Sequence, residues 1–411
     1  MKRLLIIGHT FPEANTTAAG VRMMQLVHLF LKAEYEIVFC STAEMTPYSE
    51  TFDKDAIRWE SIRLNDASFD HFIRNENPSV VLFDRFITEE QFGWRVSENC
   101  PEALKILDTE DLHFLRKARE EAVKNQGVAA EAHLYTEIAK RELASILRCD
   151  LSLIISEYEY ALLTETFQIP KTLLYYLPFL ATAPSEAEKN SLPDFQHRQH
   201  FVTMGNFQHA PNADAVRYLK TEIWPAIRKQ LPNAKLHIYG AYASKSIMQL
   251  HNEQNGFFIQ GWAPDADEVL KKAKVCVAPL RFGAGLKGKI LKAWAVGTPV
   301  ITTAIGIEGM GEGLYPSFEV GDPEAWGKEA ARLYNDETYW QKRQGMGFSI
   351  LEQKFASERF ETPFMTTLEE MIVQLQTHRK NHFITQILQH HTVQTYKYLS
   401  KYIAEKNQNA N

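Results

Sequence analysis

The sequence has no long apolar run, few cysteines and no basic excess, and each shortage removes a class of function. A membrane-crossing helix needs roughly 20 consecutive apolar residues to match the hydrocarbon core. No such stretch occurs in the 411 residues. The four cysteines, Cys40, Cys100, Cys149 and Cys276, show neither a C-x-x-C spacing nor a partnering histidine pattern. They read as reduced core thiols, not as a disulfide frame or a zinc site. A formal net charge of −6 argues against a general nucleic-acid binder, so no nucleic-acid partner is expected. Carboxylates with metal-ligand spacing are also scarce. Asp265-Ala266-Asp267 has the look of a D-x-D, but Glu268 and an apolar helix follow it, so Asp265 reads as a helix N-cap and no metal is expected. The opening MKRLLIIGHTFPEA is basic, yet its apolar run breaks at Gly8, too short for a secretion signal, which leads us to expect a cytoplasmic address.

What is present fits a folded α/β protein. Hydrophobic residues make up 45% and charged residues 23%, and the length suits two domains better than one core. The organising stretch is Val275 to Thr303, VCVAPLRFGAGLKGKILKAWAVGTPVITT. It reads as a β run, a glycine-rich turn, a helix from about Leu286 to Val296, and a second β run. Gly283, Gly285 and Gly288 would let a ligand approach the backbone at a helix start, where N–H groups favour anions. Arg281, Lys287 and Lys289 surround that turn, although cations oppose the dipole at a helix start. An anionic ligand would explain them; a basic surface loop is the other reading.

Spacing tests two known anion loops here. Gly283 to Lys289 fits G-x-x-x-x-G-K, but Ile290 stands where a magnesium-binding hydroxyl is needed. Gly283, Gly285 and Gly288 also fit G-x-G-x-x-G, yet the following strand ends in Thr302 and Thr303 where a dinucleotide site wants an acid.

The segment APLRFGAGLKGKILKAWAVGTPVITTAIGIEGM resembles the donor-sugar segment of family-four retaining glycosyltransferases, glycosyl transferases group 1 of the GT-B fold. Upstream, VTMGNFQHAPNADAVRYLKTEIWPAIRKQLPNAKLHIYG and FIQGWAPDADEVLKKAKVCVAPL resemble the same family in the same order, covering nearly all of Phe201 to Met310. The resemblance implies two Rossmann-like, doubly wound α/β domains facing across a cleft. It also implies transfer of a hexose-like sugar from a nucleotide-diphosphate sugar, a substrate and not a resident cofactor, to a glycan, lipid-linked or other cell-envelope acceptor, as in polysaccharide biosynthesis.

Alternating strands and helices agree with that architecture: Leu4–Ile7, Ile37–Cys40, Val80–Phe83, Leu104–Leu107, Ser152–Ile155 and Leu173–Tyr176 form a first set. The expected limits are an acceptor domain over residues 1–178, a linker at 179–199, a donor domain over 200–355 and C-terminal helices over 356–411 that pack back on the first domain. In the resembling family the loop after the first strand passes beneath the donor diphosphate, which points to Gly20 and Arg22; a solvated first-turn arginine is the alternative. After the strand ending at Leu107, His113 is the candidate for positioning and proton chemistry, while Thr109 or Asp111 could equally cap the next helix. The charged segment from Leu112 to Leu147 reads as a solvated helical face.

In the second domain the resemblance points to Gly205 and Asn206 after its first strand, although the family's usual arginine and lysine are absent there. We expect Arg281, Lys287 and Lys289 to supply that charge, with Gly283, Gly285 and Leu286 shaping the turn. Gly240 and Trp262 would wall the nucleotide base, with an ordinary packed tryptophan as the alternative. Many relatives carry a glutamate in an L-E-A run, where this chain has Leu291-Lys292-Ala293; Glu308 is the candidate to face the same cleft, or else a turn carboxylate. A catalytically silent nucleotide-sugar-binding protein and a GT-B-fold nucleotide-sugar epimerase are the alternatives in function. The apolar stripe Ile384, Ile387, Leu388, Tyr398, Leu399 and Tyr402 would pack on the first domain or a second subunit, with peripheral attachment to the inner face of the membrane as the alternative.

Overall fold

The computed structural model describes residues 2–50, 57–127 and 129–390. Twelve strands form two parallel sheets. The first contains β1 (Arg3–Gly8), β2 (Glu36–Ser41), β3 (Ile57–Ser61), β4 (Val80–Asp84), β5 (Leu104–Asp108), β6 (Leu151–Ile154) and β7 (Leu174–Tyr176). The second contains β8 (Gln199–Met204), β9 (Leu236–Tyr239), β10 (Phe257–Gly261), β11 (Ala273–Ala278) and β12 (Val300–Thr302). Continuous apolar runs such as Leu4–Ile7 and Val80–Phe83 are fully buried, as strands covered by helices on both faces must be.

Strand order is β3-β2-β1-β4-β5-β6-β7 in one sheet and β10-β9-β8-β11-β12 in the other. The order therefore reverses beside β1 and β4, and again beside β8 and β11. A crevice opens at the carboxyl ends of strands where the order reverses, and ligands of doubly wound sheets bind there. Both sheets place their reversal points next to segments singled out above: the loops after β1, β4 and β5, and those after β8 and β11.

The edge strand β3 was not expected, because IRWES mixes polar and apolar residues and only Ile57 is buried. The charged segment after Leu112 is not one helix. It divides into His113–Gln126, a short 3-10 turn Ala129–Glu131 and Glu137–Arg148, with Gly127 at φ 82° closing the first piece.

Apolar contacts bind the halves together. Ile155 and Phe179 share a buried cluster with Val202, Leu286, Ile290 and Trp294, while Ala284 of the glycine turn joins the first core beside Leu107 and Leu112. The chain returns to the first sheet at its far end: Phe364, Leu368 and Leu375 lie in one cluster with Leu4, Ile6 and Phe30. The Arg379 guanidinium then reaches Asp150 Oδ1 and Oδ2, each at 2.8 Å. In the expected stripe Ile384 and Ile387 are about half exposed, whereas Tyr398, Leu399 and Tyr402 lie outside the described residues. Among the described residues no helix is long and apolar enough to cross a membrane.

Candidate active site

Side chains from both reversal points meet in the crevice between the sheets. His9 follows β1, Asp84 and Arg85 straddle the end of β4, Asp108 ends β5 and Thr109 to His113 follow it. From the second sheet come His209, after β8, and Lys289, in the first turn of the helix Gly288–Ala295. Arg85 (φ 70°) and Glu110 (φ 62°) both adopt left-handed backbone directly beyond their strands. Non-glycine residues rarely adopt that conformation, and such strain collects at functional loops.

The groups are arranged in interlocking pairs. Asp111 accepts from Arg116 Nε at 2.6 Å and lies 3.4 Å from His113 Nε2. Asp84 Oδ2 accepts the His9 backbone N–H at 3.0 Å. The N–H groups of His113 and Phe114 donate to the buried Glu142 carboxylate at 3.0 and 2.9 Å, so Glu142 caps the helix His113–Gln126. Burial pushes the His113 imidazole down to about 3, with Asp111 opposing the shift, and pushes His209 down to about 4, helped by Arg116. Both rings are neutral near pH 7. Burial also lowers Lys289, to about 8, leaving it mostly charged at neutral pH; its Nζ donates to Asn212 Oδ1 at 2.6 Å. The Glu110 carboxyl is raised well above the usual range by burial and by its neighbours Asp108 and Asp84. It is almost fully buried, and among the described residues its Oε1 has no hydrogen-bond partner. A carboxyl oxygen without a partner at a crevice can hydrogen-bond a ligand hydroxyl.

Of the residues expected from sequence, His113 and Lys289 reach this crevice from opposite sides. Lys287 is buried near it, with Nζ on the Gly285 carbonyl at 2.7 Å. Arg281 is already paired: its Nε lies 2.9 Å from Asp214 Oδ2, and its guanidinium sits over Tyr218. It is not a free cation of the turn. Glu308 is gripped at both oxygens by Arg119, each contact 2.7 Å. Arg22 is fully buried, bonded to the Pro178 carbonyl at 2.7 Å and to Asp108 Oδ1 at 3.3 Å, so it ties the first domain together internally.

Most of the candidate glycines face another part of the chain closely. A Cβ on Gly285 would lie 2.8 Å from the Asp111 Cβ, and one on Gly288 would lie 3.1 Å from the Ala18 Cβ. These positions let the two domains approach each other. Gly20 would meet the Glu13 backbone at 2.4 Å, Gly205 the Asn212 side chain at 2.6 Å, and Gly240 the Gly205 carbonyl at 2.1 Å. Gly283, at φ 157°, has open space around its missing Cβ apart from ordinary contacts with Lys287 and Ile305. The Asn206 carbonyl accepts from Asn212 Nδ2 at 2.9 Å, placing it in the same turn that receives Lys289. Leu286 is an apolar contact of the interdomain cluster. Trp262 is partly exposed, donates to the Asn15 carbonyl at 3.3 Å and lies against Tyr48 of the first domain.

Sequence reasoning missed Arg85, Glu110, Arg116, Arg119, Glu159 and His209. A signal for two of them existed. Arg116 closes the first turn of a helix, the same cation-against-dipole conflict that drew attention to Lys287 and Lys289, and Arg119 follows on the next turn. Reading their segment as a solvated face hid it.

The architecture and the match of part of the sequence define a class. Residues 198–336 match the family model of glycosyl transferases group 1, and the fold is GT-B; the chain is a glycosyltransferase of that fold. No curated protein matches the chain in sequence. Among solved structures, it is similar to sucrose-phosphate synthase from Thermosynechococcus elongatus, with 16% identity, TM-score 0.68 and coverage of 91% of this chain and 100% of that one. The pneumococcal O-GlcNAc transferase GtfA in complex with UDP and GlcNAc shares 12% identity, TM-score 0.67, over 90% of this chain and 99% of that one. Anabaena HepE in complex with UDP-glucose shares 10% identity, TM-score 0.65, over 90% and 100%.

Proposed function

We propose that the protein is a retaining, metal-independent transferase that moves a sugar from a nucleoside-diphosphate sugar to a hydroxyl of a glycan, lipid-linked or other cell-envelope acceptor. The observation that carries this reading is the place of His209, close enough to Lys289 on its own domain and to Arg116 and Asp111 on the other to feel the charge of each, where both reversal points face one crevice. Departure of a nucleoside diphosphate develops negative charge on a phosphate oxygen, and a partly desolvated ammonium at a helix start stabilises it. Lys287 and Arg116 add positive potential on either side. Neutral His113 and the free Oε1 of Glu110 are suited to hydrogen-bond sugar hydroxyls, orienting donor against acceptor. UDP in the complexes of GtfA and HepE makes uridine the first base to test.

One observation favours a second reading, binding without turnover. Lys292, in the L-K-A run, lies 3.2 Å from Asp267 in an ion pair, where relatives of the resembling family carry a glutamate. A single experiment separates the two. Thermal shift with UDP, GDP and ADP tests the site, and nucleotide release from the corresponding sugar donors tests chemistry. Stabilisation together with release supports transfer. Stabilisation without release under any donor and acceptor supports binding alone, and no stabilisation by any of the three removes the nucleotide-sugar assignment.

A further inference from the structure

Two backbone groups of the glycine turn are held by side chains of the other domain. The Gly285 N–H donates to Glu159 Oε1 at 2.8 Å, and the same oxygen accepts the Leu112 N–H at 2.9 Å. One carboxylate oxygen thus ties the loop after β5 to the turn after β11. The Gly283 carbonyl accepts from Arg119 Nη1 at 2.8 Å, while the same guanidinium grips Glu308 and lies 5.0 Å over the Tyr158 ring. Glu159 is fully buried and Arg119 nearly so. From its own domain the turn has the Lys287 N–H on Met310 Sδ and the Lys287 ammonium on the Gly285 carbonyl. A segment rich in glycine has a broad conformational range and little side chain with which to narrow it. Its shape is therefore fixed largely from across the crevice.

We propose that Glu159 and Arg119 are positioning residues for the donor site, shaping the turn Gly283–Lys287 from across the crevice. The donor half of this inference rests on the nucleotide-sugar reading above. When the domains part, the Gly283 carbonyl and the Gly285 N–H lose these partners, and the turn that leads to Lys287 and Lys289 loosens.

The test compares Glu159→Ala, Arg119→Ala and the conservative Glu159→Gln and Arg119→Lys in the full chain. Hydrogen exchange is read over residues 283–287, UDP, GDP and ADP affinity by calorimetry, and kcat and KM separately where a donor turns over. Both alanine variants are expected to raise exchange in the turn at least tenfold and to weaken the nucleotide about tenfold, with KM for the donor rising more than kcat falls. Glu159→Gln, whose amide oxygen accepts the same two bonds, is expected to recover most of the protection, which a mere loss of folding would not show. Exchange in the turn unchanged in both alanine variants would overturn the inference. Should the wild type bind none of the three nucleotides, the nucleotide-sugar reading fails, while the exchange measurement still decides whether the first domain shapes the turn.

Discussion

Lys289 Nζ lies 2.6 Å from Asn212 Oδ1, so the ammonium at the start of one helix is held by an amide on the helix Ala210–Tyr218, which follows β8. Burial lowers its ionisation to about 8, which places the loss of its charge within reach of a pH profile. The cationic form exists below that value and disappears above it. Donor-dependent kcat/KM is therefore expected to fall as pH rises through about 8, and Lys289→Arg, which stays charged, is expected to carry activity further into the alkaline range. Lys289→Ala is expected to lower kcat about 10²–10³-fold, the usual effect of losing one stabilising donor to a developing anion. Near-normal turnover by that variant, or a profile flat to pH 10, would remove Lys289 from the site. No acid limb from His113 is expected near 6.5, because burial holds that ring neutral down to about 3.

Arg22 makes a different prediction from the one its sequence position invites. Its guanidinium is wholly enclosed, with Asp108 on one side and the Pro178 carbonyl on the other. Removing one partner of a buried ion pair leaves the other uncompensated, at a cost of about 3–5 kcal/mol. Arg22→Ala is expected to lower stability by that amount in urea or guanidinium unfolding, with nucleotide affinity unchanged in the fraction that stays folded. A stable variant with weakened nucleotide binding would return Arg22 to the donor site.

How much was legible beforehand follows from what each feature depends on. Strands β1, β2 and β4 could be read because burial on both faces writes a continuous apolar run into the chain. β3 could not, since an edge strand is half exposed and IRWES lacks that run. His113 was singled out because it lies in the loop after β5, the position a doubly wound sheet presents to a ligand, and Lys289 because it is a cation at a helix start beside a glycine-rich turn. The partners that complete the crevice come from across it. Glu159 is one acid among many in its segment until folding brings its oxygen to the Gly285 N–H. The glycines were read as places where a ligand approaches the backbone, but sequence alone cannot say whether a ligand or another part of the chain comes near. At Gly285 and Gly288 it is the first domain.

Gly285 gives that distinction a direct measurement. Its φ of 62° is left-handed, and an added Cβ would come within 2.8 Å of the Asp111 Cβ and 3.2 Å of the Glu110 carbonyl. Gly285→Ala would strain its own backbone by about 1 kcal/mol and press the domains apart. A larger radius of gyration in solution scattering is expected, together with a lower nucleotide affinity, while each sheet keeps its secondary structure by circular dichroism. An unchanged radius together with unchanged affinity would show that the two domains do not need this contact.

The returning C-terminal helices supply the last prediction. Leu368, on the helix Glu361–Val373, is fully buried in the cluster that contains Leu4, Ile6 and Leu26. A residue far along the chain therefore completes the core of the first sheet, and deleting its side chain leaves a cavity there. Large-to-small changes of this kind cost about 2–5 kcal/mol, depending on how far the site collapses. Leu368→Ala is expected to lower the unfolding midpoint accordingly, and hydrogen exchange should rise in β1 and in the helix Ala18–Lys32 while the strands β8 to β12 stay protected. The direction matters because the crevice needs both walls: if the first sheet loosens selectively, donor affinity falls through His113 and Arg116 although the variant is remote from them. Uniform loosening of both sheets would instead mean that the two halves unfold as one cooperative unit, bound together by the cluster around Ile155, Phe179 and Leu286.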